Sequence, residues 1–281
     1  DNFSTGKKRF LKKAYQNSRF KFLCEDLSNK DSYIDFFEDV NTVIHLAANA
    51  DVRDGLKHPT KDIKENLINT SNVLEAMRLK KVKNIIFSST GSVYGEAMQI
   101  PTPEDCSFPV QTSLYGASKI AAEGLISSYC EGYGFNGIAL RFVSLLGPRY
   151  THGHVFDFVK SLKINKKVLK ILGDGSQDKS YFHVSDCVNA IDYFASCMQS
   201  NLKGFHTINL GTSESIKVSE SALLICQTLD LNPVFEYTGG RQGWIGDNPI
   251  IKLDISKANM LGWFPKFGIR ESIQETTKWV N

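Results

Sequence analysis

The runs "RFKFL" (19–23), "TVIHLAA" (42–48), "NIIFSST" (84–90) and "GIALRFV" (137–143) read as short strands, and the last three are rich in β-branched residues and largely apolar. A strand half exposed to water alternates apolar with polar residues, whereas a strand covered on both faces does not. These runs therefore predict a parallel sheet with helices packed on both sides. The stretches between them agree: Ile63, Leu67, Leu74 and Met77 recur at helical spacing, as do Ile120, Leu125 and Tyr129. The resulting βαβα order is that of a doubly wound α/β fold, whose ligands bind in the crevice at the strand C-termini.

The bulk numbers narrow the field further. A chain of 281 residues can bury a large core, as one α/β unit or two joined lobes. A net charge of +3, from 33 basic and 30 acidic residues, argues for neither nucleic acid nor an anionic membrane as partner. No apolar run approaches the ~18 to 20 residues of a membrane span. The six cysteines include no C-x-x-C pair, so neither a zinc site nor a disulfide framework is suggested, and a reducing cytoplasm fits. After about residue 147 the rhythm becomes turn-rich, in "GPRYTHG", "GDGSQDKS" and the loop at 237–249. The expected organisation is a nucleotide-binding unit over 1–146, with returning segments near 181–211, interleaved with a substrate lobe over 147–180 and 212–281.

The sharpest chemical signal is "SLYGASK", in which Tyr115 and Lys119 stand four apart at the start of a helical stretch and so share a face. A phenol of pKa ~10 is a poor base at neutral pH, and a neighbouring ammonium stabilises its phenolate. The strand 84–90 ends in Ser88, Ser89 and Thr90, whose hydroxyls lie where a doubly wound sheet binds its ligand. One of them can hold the substrate oxygen that a tyrosine deprotonates. The pattern G-x-G-x-x-G at Gly132 to Gly137 follows a helix and precedes a strand, the wrong order for a pyrophosphate cradle; it predicts a helix-to-strand turn. The histidines suggest packing more than catalysis, and His152 and His154, without a carboxylate partner, do not make a metal site. No metal is expected.

In family order, "DNFSTG", "HLAA", "SSTGSVYG", "YGASK", "LRFVSLLGP", "GDGSQDKSYFHVSD", "INLGT" and "DISKA" resemble the extended short-chain dehydrogenase/reductases, and among them the NAD-dependent nucleotide-sugar epimerases and dehydratases. The resemblance covers nearly the whole chain and implies a Rossmann sheet. It makes Tyr115 the general base, Lys119 its pKa-lowering partner and nicotinamide-ribose ligand, and Thr90 the hydroxyl that holds the sugar oxygen. It places Asp1, with Asn2, Ser4, Thr5 and Gly6, around the adenosine ribose, and Asp26 and Leu27 at the adenine. Leu46, Ala47, Ala48 and Ser88 line the cofactor, and Asn66 lies near it, where a backbone-fixing role is favoured over direct contact. The substrate would meet Thr90, Ser144, Arg149, Lys179 and Arg241, the three cations serving its diphosphate. Lys179 and Ser144 stand where relatives usually have arginine and asparagine.

Related 4,6-dehydratases carry an Asp-Glu pair directly after the catalytic threonine, and decarboxylases a glutamate at the second position. Here these positions are Gly91 and Ser92, neither an acid nor a base. By subtraction the chain resembles an epimerase, acting at C4 of a UDP-hexose. A dehydratase or reductase is the enzymatic alternative, and a non-catalytic binding module the alternative of another class. A homodimer is expected through the helices around 60–80 and 113–131. The glycine fingerprint of such a fold precedes its ribose-binding acid, so "DNFSTG" reads as a cut edge with roughly 30 residues before it. A chain without that cradle is expected to bind NAD weakly.

Overall fold

Three of the four apolar runs become strands of one sheet. The computed structural model describes residues 1–281 except Phe108, Pro109, Asn201, Ile245 and Gly246. In it β1 (Thr42–His45), β2 (Asn84–Thr90), β3 (Asn136–Phe142) and β8 (Phe205–Leu210) lie in the order β1-β2-β3-β8, every pair parallel. Ile85, Ile86, Phe87, Ala139 and Leu140 are fully buried, as continuously apolar strands require. The run 19–23 departs from expectation and forms no strand. A strand exists only with a neighbour to take its ladder bonds, and among the described residues β1 pairs with β2 alone. Phe20 and Phe22 pack instead on Tyr15 and Phe3, with ring centroids 5.1 to 6.4 Å apart. β1 also ends three residues short of expectation, and just beyond the expected run the Asn49 N–H bonds to Asn66 Oδ1.

Helices cover the sheet. After β1 come α1 (Val52–Lys57), capped by Asp51 Oδ1 on the Arg53 N–H at 3.0 Å, and α2 (Pro59–Asp62), with proline at its first position. A π turn over Ile63–Ile68 continues into α3 (Asn69–Leu79). α4 (Leu114–Tyr133) starts on a Ser113 cap and stops at Gly134, whose φ of 63° is the left-handed cap geometry that glycine adopts without strain. The glycine-rich stretch at 132–137 is thus a helix-to-strand turn. Leu74, Met77, Ala122 and Ile126 pack with Ile85 and Phe87 on one face of the sheet. On the other, α6 (Val184–Ser200) supplies Ala190, Phe194 and Met198 to a cluster with Ile86, Ile138 and Leu210.

A second cluster gathers α5 (His154–Ile164), α7 (Val218–Thr228) and α9 (Ile269–Val280) around β5 (Val168–Ile171), which pairs with β10 (Val234–Tyr237). Between the clusters lie β4 (Ser144–Leu146) beside β7 (Tyr181–His183), and a small sheet of β6 (Asp178–Lys179), β9 (Ile216–Lys217) and β11 (Ile250–Ile251). Leu253, Trp263 and Ala258 of α8 (Ser256–Met260), sequence neighbours of the second cluster, pack in the first. No helix among the described residues is long and apolar enough to cross a membrane.

Candidate active site

β2 delivers Thr90 to the sheet's C-terminal edge, where the chain turns into a short 3-10 segment and the Thr90 hydroxyl accepts from the Ser92 N–H at 3.1 Å. The first turn of α4 brings Tyr115 to the same edge, and both side chains line one cavity there. Close approach is possible because Gly116 faces the Ser92 carbonyl; a Cβ there would stand 2.6 Å from that oxygen. One turn later Lys119, only 1% exposed, donates from Nζ to the Ser88 carbonyl at 2.7 Å and lies 4.4 Å from the Phe87 ring centroid. Burial pulls its ammonium down to about 7, while the Glu123 carboxylate, a turn further on, holds it up.

The expected lowering of Tyr115 by Lys119 does not appear. Burial pushes the phenol up to about 12, the Thr90 side chain draws it down, and Asp62 raises it. Lys119 is turned to the Ser88 carbonyl, and a buried lysine that sheds its proton has little charge to lend a phenolate. Behind the pair, Glu123 bonds Arg141 through two oxygens at 3.0 and 2.7 Å and accepts from Ser89. Arg141 also donates to Tyr94 Oη at 2.7 Å, and Tyr94 to Asn209 at 2.7 Å. This buried network ties α4 to three strands, and nothing in the sequence motifs pointed to it.

Two adjoining cavities lie over the site. One of about 570 Å³ is lined by Leu46, Ala48, Ser88, Thr90, Tyr115, Lys119, Ser144 and Arg149 among others. The second, of about 440 Å³, shares Ala50, Ser144, Tyr150 and His152 with it and reaches Lys179, Trp244 and Asp247. The cleft thus brings together Thr90, Tyr115, Lys119, Ser88, Leu46, Ala48, Ser144, Arg149 and Lys179. Arg141, Asn66 and Leu27 sit behind it. Asn66 is fully buried and clamps the Asn49 backbone, accepting from its N–H at 2.8 Å and donating to its carbonyl at 3.3 Å. Leu27 packs into the core with its carbonyl taken by Tyr33 and Asn72.

Asp1, Asn2, Ser4, Thr5, Gly6, Asp26 and Ala47 line neither cavity. They are nonetheless organised: Asn2 Nδ2 donates to Asp26 Oδ2 at 2.8 Å, and the Asp1 carboxylate accepts from the Phe3 N–H at 2.6 Å. Hydrogen bonds from Ser28 and Asn2 hold the Asp26 carboxyl down at about 2. Arg241 is the outlier among the expected cations. Its side chain is 68% exposed, meets Glu96 at 3.6 Å and lines neither cavity. The long polar loop turns Arg241 outward and sends Asp247 in, where its carboxylate holds Lys179 and accepts from the Gly243 N–H at 3.0 Å. Ile245 and Gly246 of that loop lie outside the described residues. His154 is fixed by Ser221 at 2.7 Å, and no group of three metal-ligating side chains occurs among the described residues.

The profile of the NAD dependent epimerase/dehydratase family matches residues 1–211. The chain belongs to that family. It is an NAD-dependent enzyme of the epimerase type, and its parallel α/β sheet is the family's fold. A UDP-glucuronate 4-epimerase from Thermodesulfobacterium geofontis is 30% identical over 96% of this chain and 82% of its own length. A crystal structure of a UDP-galactose 4-epimerase superposes with a TM-score of 0.88, at 30% identity, over 100% of this chain and 88% of that one. A Bacillus cereus UDP-glucuronic acid 4-epimerase, in complex with UDP-glucuronic acid and NAD, does so at 0.86 and 26% identity, over 96% and 84%.

Proposed function

We propose that the protein interconverts the C4 epimers of a nucleoside-diphosphate hexose, a UDP-hexose, with Tyr115 as the base. The observation that carries this reading is the lining of the larger cavity: Thr90 and Tyr115 line it together, and among the described residues its lining includes no aspartate or glutamate. Eliminating water from a keto sugar needs a further acid and base, whereas epimerisation needs a single proton carrier. Gly91 and Ser92, directly after Thr90, line the same cavity and offer neither.

The residues present fit NAD. The Lys119 ammonium has donors beyond the one held by Ser88, and Leu46 and Ala48 give an apolar wall where a nicotinamide ring would lie. Asp1, Asn2 and Asp26 would hold the adenosine end, and Asn66 would fix the backbone of the wall. NAD, when bound, supplies a reversible hydride acceptor. Tyr115 removes the proton from the sugar hydroxyl as C4 is oxidised and returns it once the keto sugar has turned over. Thr90 holds that oxygen through both passes. Lys179 would meet the diphosphate as a point charge, set by Asp247, and Arg149 would close the other side.

The reading includes the two interleaved lobes expected from the sequence, with the cleft between them. It also includes a cytoplasmic homodimer through the helices around 60–80 and 113–131: six free thiols suit a reducing compartment, and Ile63 and Ile68 of the π turn, Leu79 of α3 and Tyr133 of α4 are about half exposed. The test is a panel of UDP-sugars with NAD, followed by NMR, for the wild type and Tyr115→Phe. Wild-type interconversion of 4-epimers that falls at least ~10²-fold in the variant is expected. Equal rates in the two, or a stable keto sugar as the wild-type product, would overturn the reading.

A further inference from the structure

Ser89 of β2, Arg141 of β3 and Asn209 of β8 stand in register across the sheet, and all three are buried. Two residues earlier the same face of β2 and β3 carries Phe87 and Ala139, fully buried and apolar, so the core itself does not ask for a polar row here. Arg141 and its partner Glu123 are both buried, and a buried ion pair adds little stability over apolar side chains of the same volume. Its use lies in what it fixes. The Arg141 guanidinium donates from Nε and Nη2 to Glu123, and from Nη1 to Tyr94 Oη at 2.7 Å and to the Glu104 carbonyl at 3.2 Å. Glu123, so held, accepts from Ser89 Oγ, on the residue just before Thr90. Tyr94, so held, donates its own proton to Asn209 Oδ1, and Asn209 Nδ2 is fixed in turn by the carbonyls of Thr102 at 2.9 Å and Asp254 at 3.0 Å. Tyr94 closes the short segment Gly91–Tyr94 that begins directly after Thr90. The chain is thus pinned on both sides of Thr90, each time through Arg141. Between the pins the Thr90 hydroxyl accepts from the Ser92 N–H, a bond that leaves its proton to be donated into the cavity.

We propose that Arg141 is a positioning residue for Thr90: one buried guanidinium holds the chain before the hydroxyl through Glu123 and Ser89, and after it through Tyr94. The proposal rests on the reading of Thr90 as the group that holds the sugar oxygen. A hydroxyl that must meet the same oxygen in both passes of the reaction loses rate steeply when displaced, while the rest of the ligand still binds. The network therefore acts on kcat and leaves KM nearly alone.

Two substitutions loosen the pins without emptying the core. Ser89→Ala leaves Glu123 both of its bonds to Arg141, and Tyr94→Phe leaves Arg141 bonded to Glu123 and the Glu104 carbonyl. Turnover of a UDP-hexose with NAD is measured for each, alone and combined with Thr90→Val. Each is expected to lower kcat about 10-fold with KM changed less than ~2-fold, and to leave kcat unchanged once Thr90→Val has removed the hydroxyl. An unchanged kcat in the single variants, or an equal fall with and without the Thr90 hydroxyl, overturns the proposal. If the wild type turns over no nucleotide sugar, methyl NMR of threonine-labelled protein decides, with Thr90 assigned from Thr90→Val. A Thr90 methyl less ordered in Tyr94→Phe than in wild type then supports the proposal and faults only the functional reading; an equally ordered methyl overturns it.

Discussion

At Lys119 the cost of taking an ammonium out of water meets one carbonyl partner, Ser88 O at 2.7 Å, and burial wins, leaving the group titrating at about 7. An unfolded lysine keeps its proton to ~10.4, so between about 7 and 10 the unfolded chain binds the extra proton. Stability therefore rises with pH across that window, and the contribution is lost as pH falls towards 7. Lys119→Met removes it: in denaturant unfolding at several pH values, wild type should gain on the variant from pH ~7 to ~10. A constant difference would contradict the burial account. The Y-x-x-x-K spacing located this residue from sequence alone, because two groups four apart on a helix must share a face. Its depressed titration was not legible, since burial depends on β2 and on Phe87, far away in sequence. Asp62 was invisible for the same reason: a lone acid in a polar helix start carries no mark of being inside. Arg241 shows the converse, a plausible cation that the loop turns to solvent and Glu96.

α4 is the element on which the site depends, since its first turn carries Tyr115 and its second Lys119. Gly116→Ala places a methyl 2.6 Å from the Ser92 carbonyl. We expect a loss of about 1–3 kcal/mol and a fall in kcat larger than any change in KM, because the Thr90–Tyr115 approach is widened. A fall in stability with kcat intact would put the glycine in packing alone. Glu123→Gln leaves Arg141 buried without its carboxylate, and about 3–5 kcal/mol of unfolding free energy should be lost. A loss under about 1 kcal/mol would mean that the network carries little of the connection between α4 and the sheet. The strands β2 and β3 were legible almost to the residue, because burial on both faces leaves a continuous apolar run. The run 19–23, where Arg19 and Lys21 alternate with Phe20 and Phe22, is no strand, because pairing belongs to two segments and cannot be read from one.

Across the whole molecule, the sheet's C-terminal edge and the small sheet of β6, β9 and β11 face a common cleft, with the proton-transferring groups at one end and Lys179 at the other. This division predicts separable effects. Lys179→Ala should raise KM for the nucleotide sugar about 10-fold or more through a lost charge-assisted contact, with kcat little changed and NAD affinity untouched by calorimetry. A change confined to kcat would remove Lys179 from substrate binding. The central claim is that one proton carrier, Tyr115, serves an oxidation and a reduction at the same carbon. A UDP-hexose deuterated at C4, turned over with NAD and followed by NMR, tests it most directly. The account predicts that the 4-epimer appears with deuterium still on C4; deuterium found at C6, or lost to the medium with a keto sugar accumulating, would contradict it.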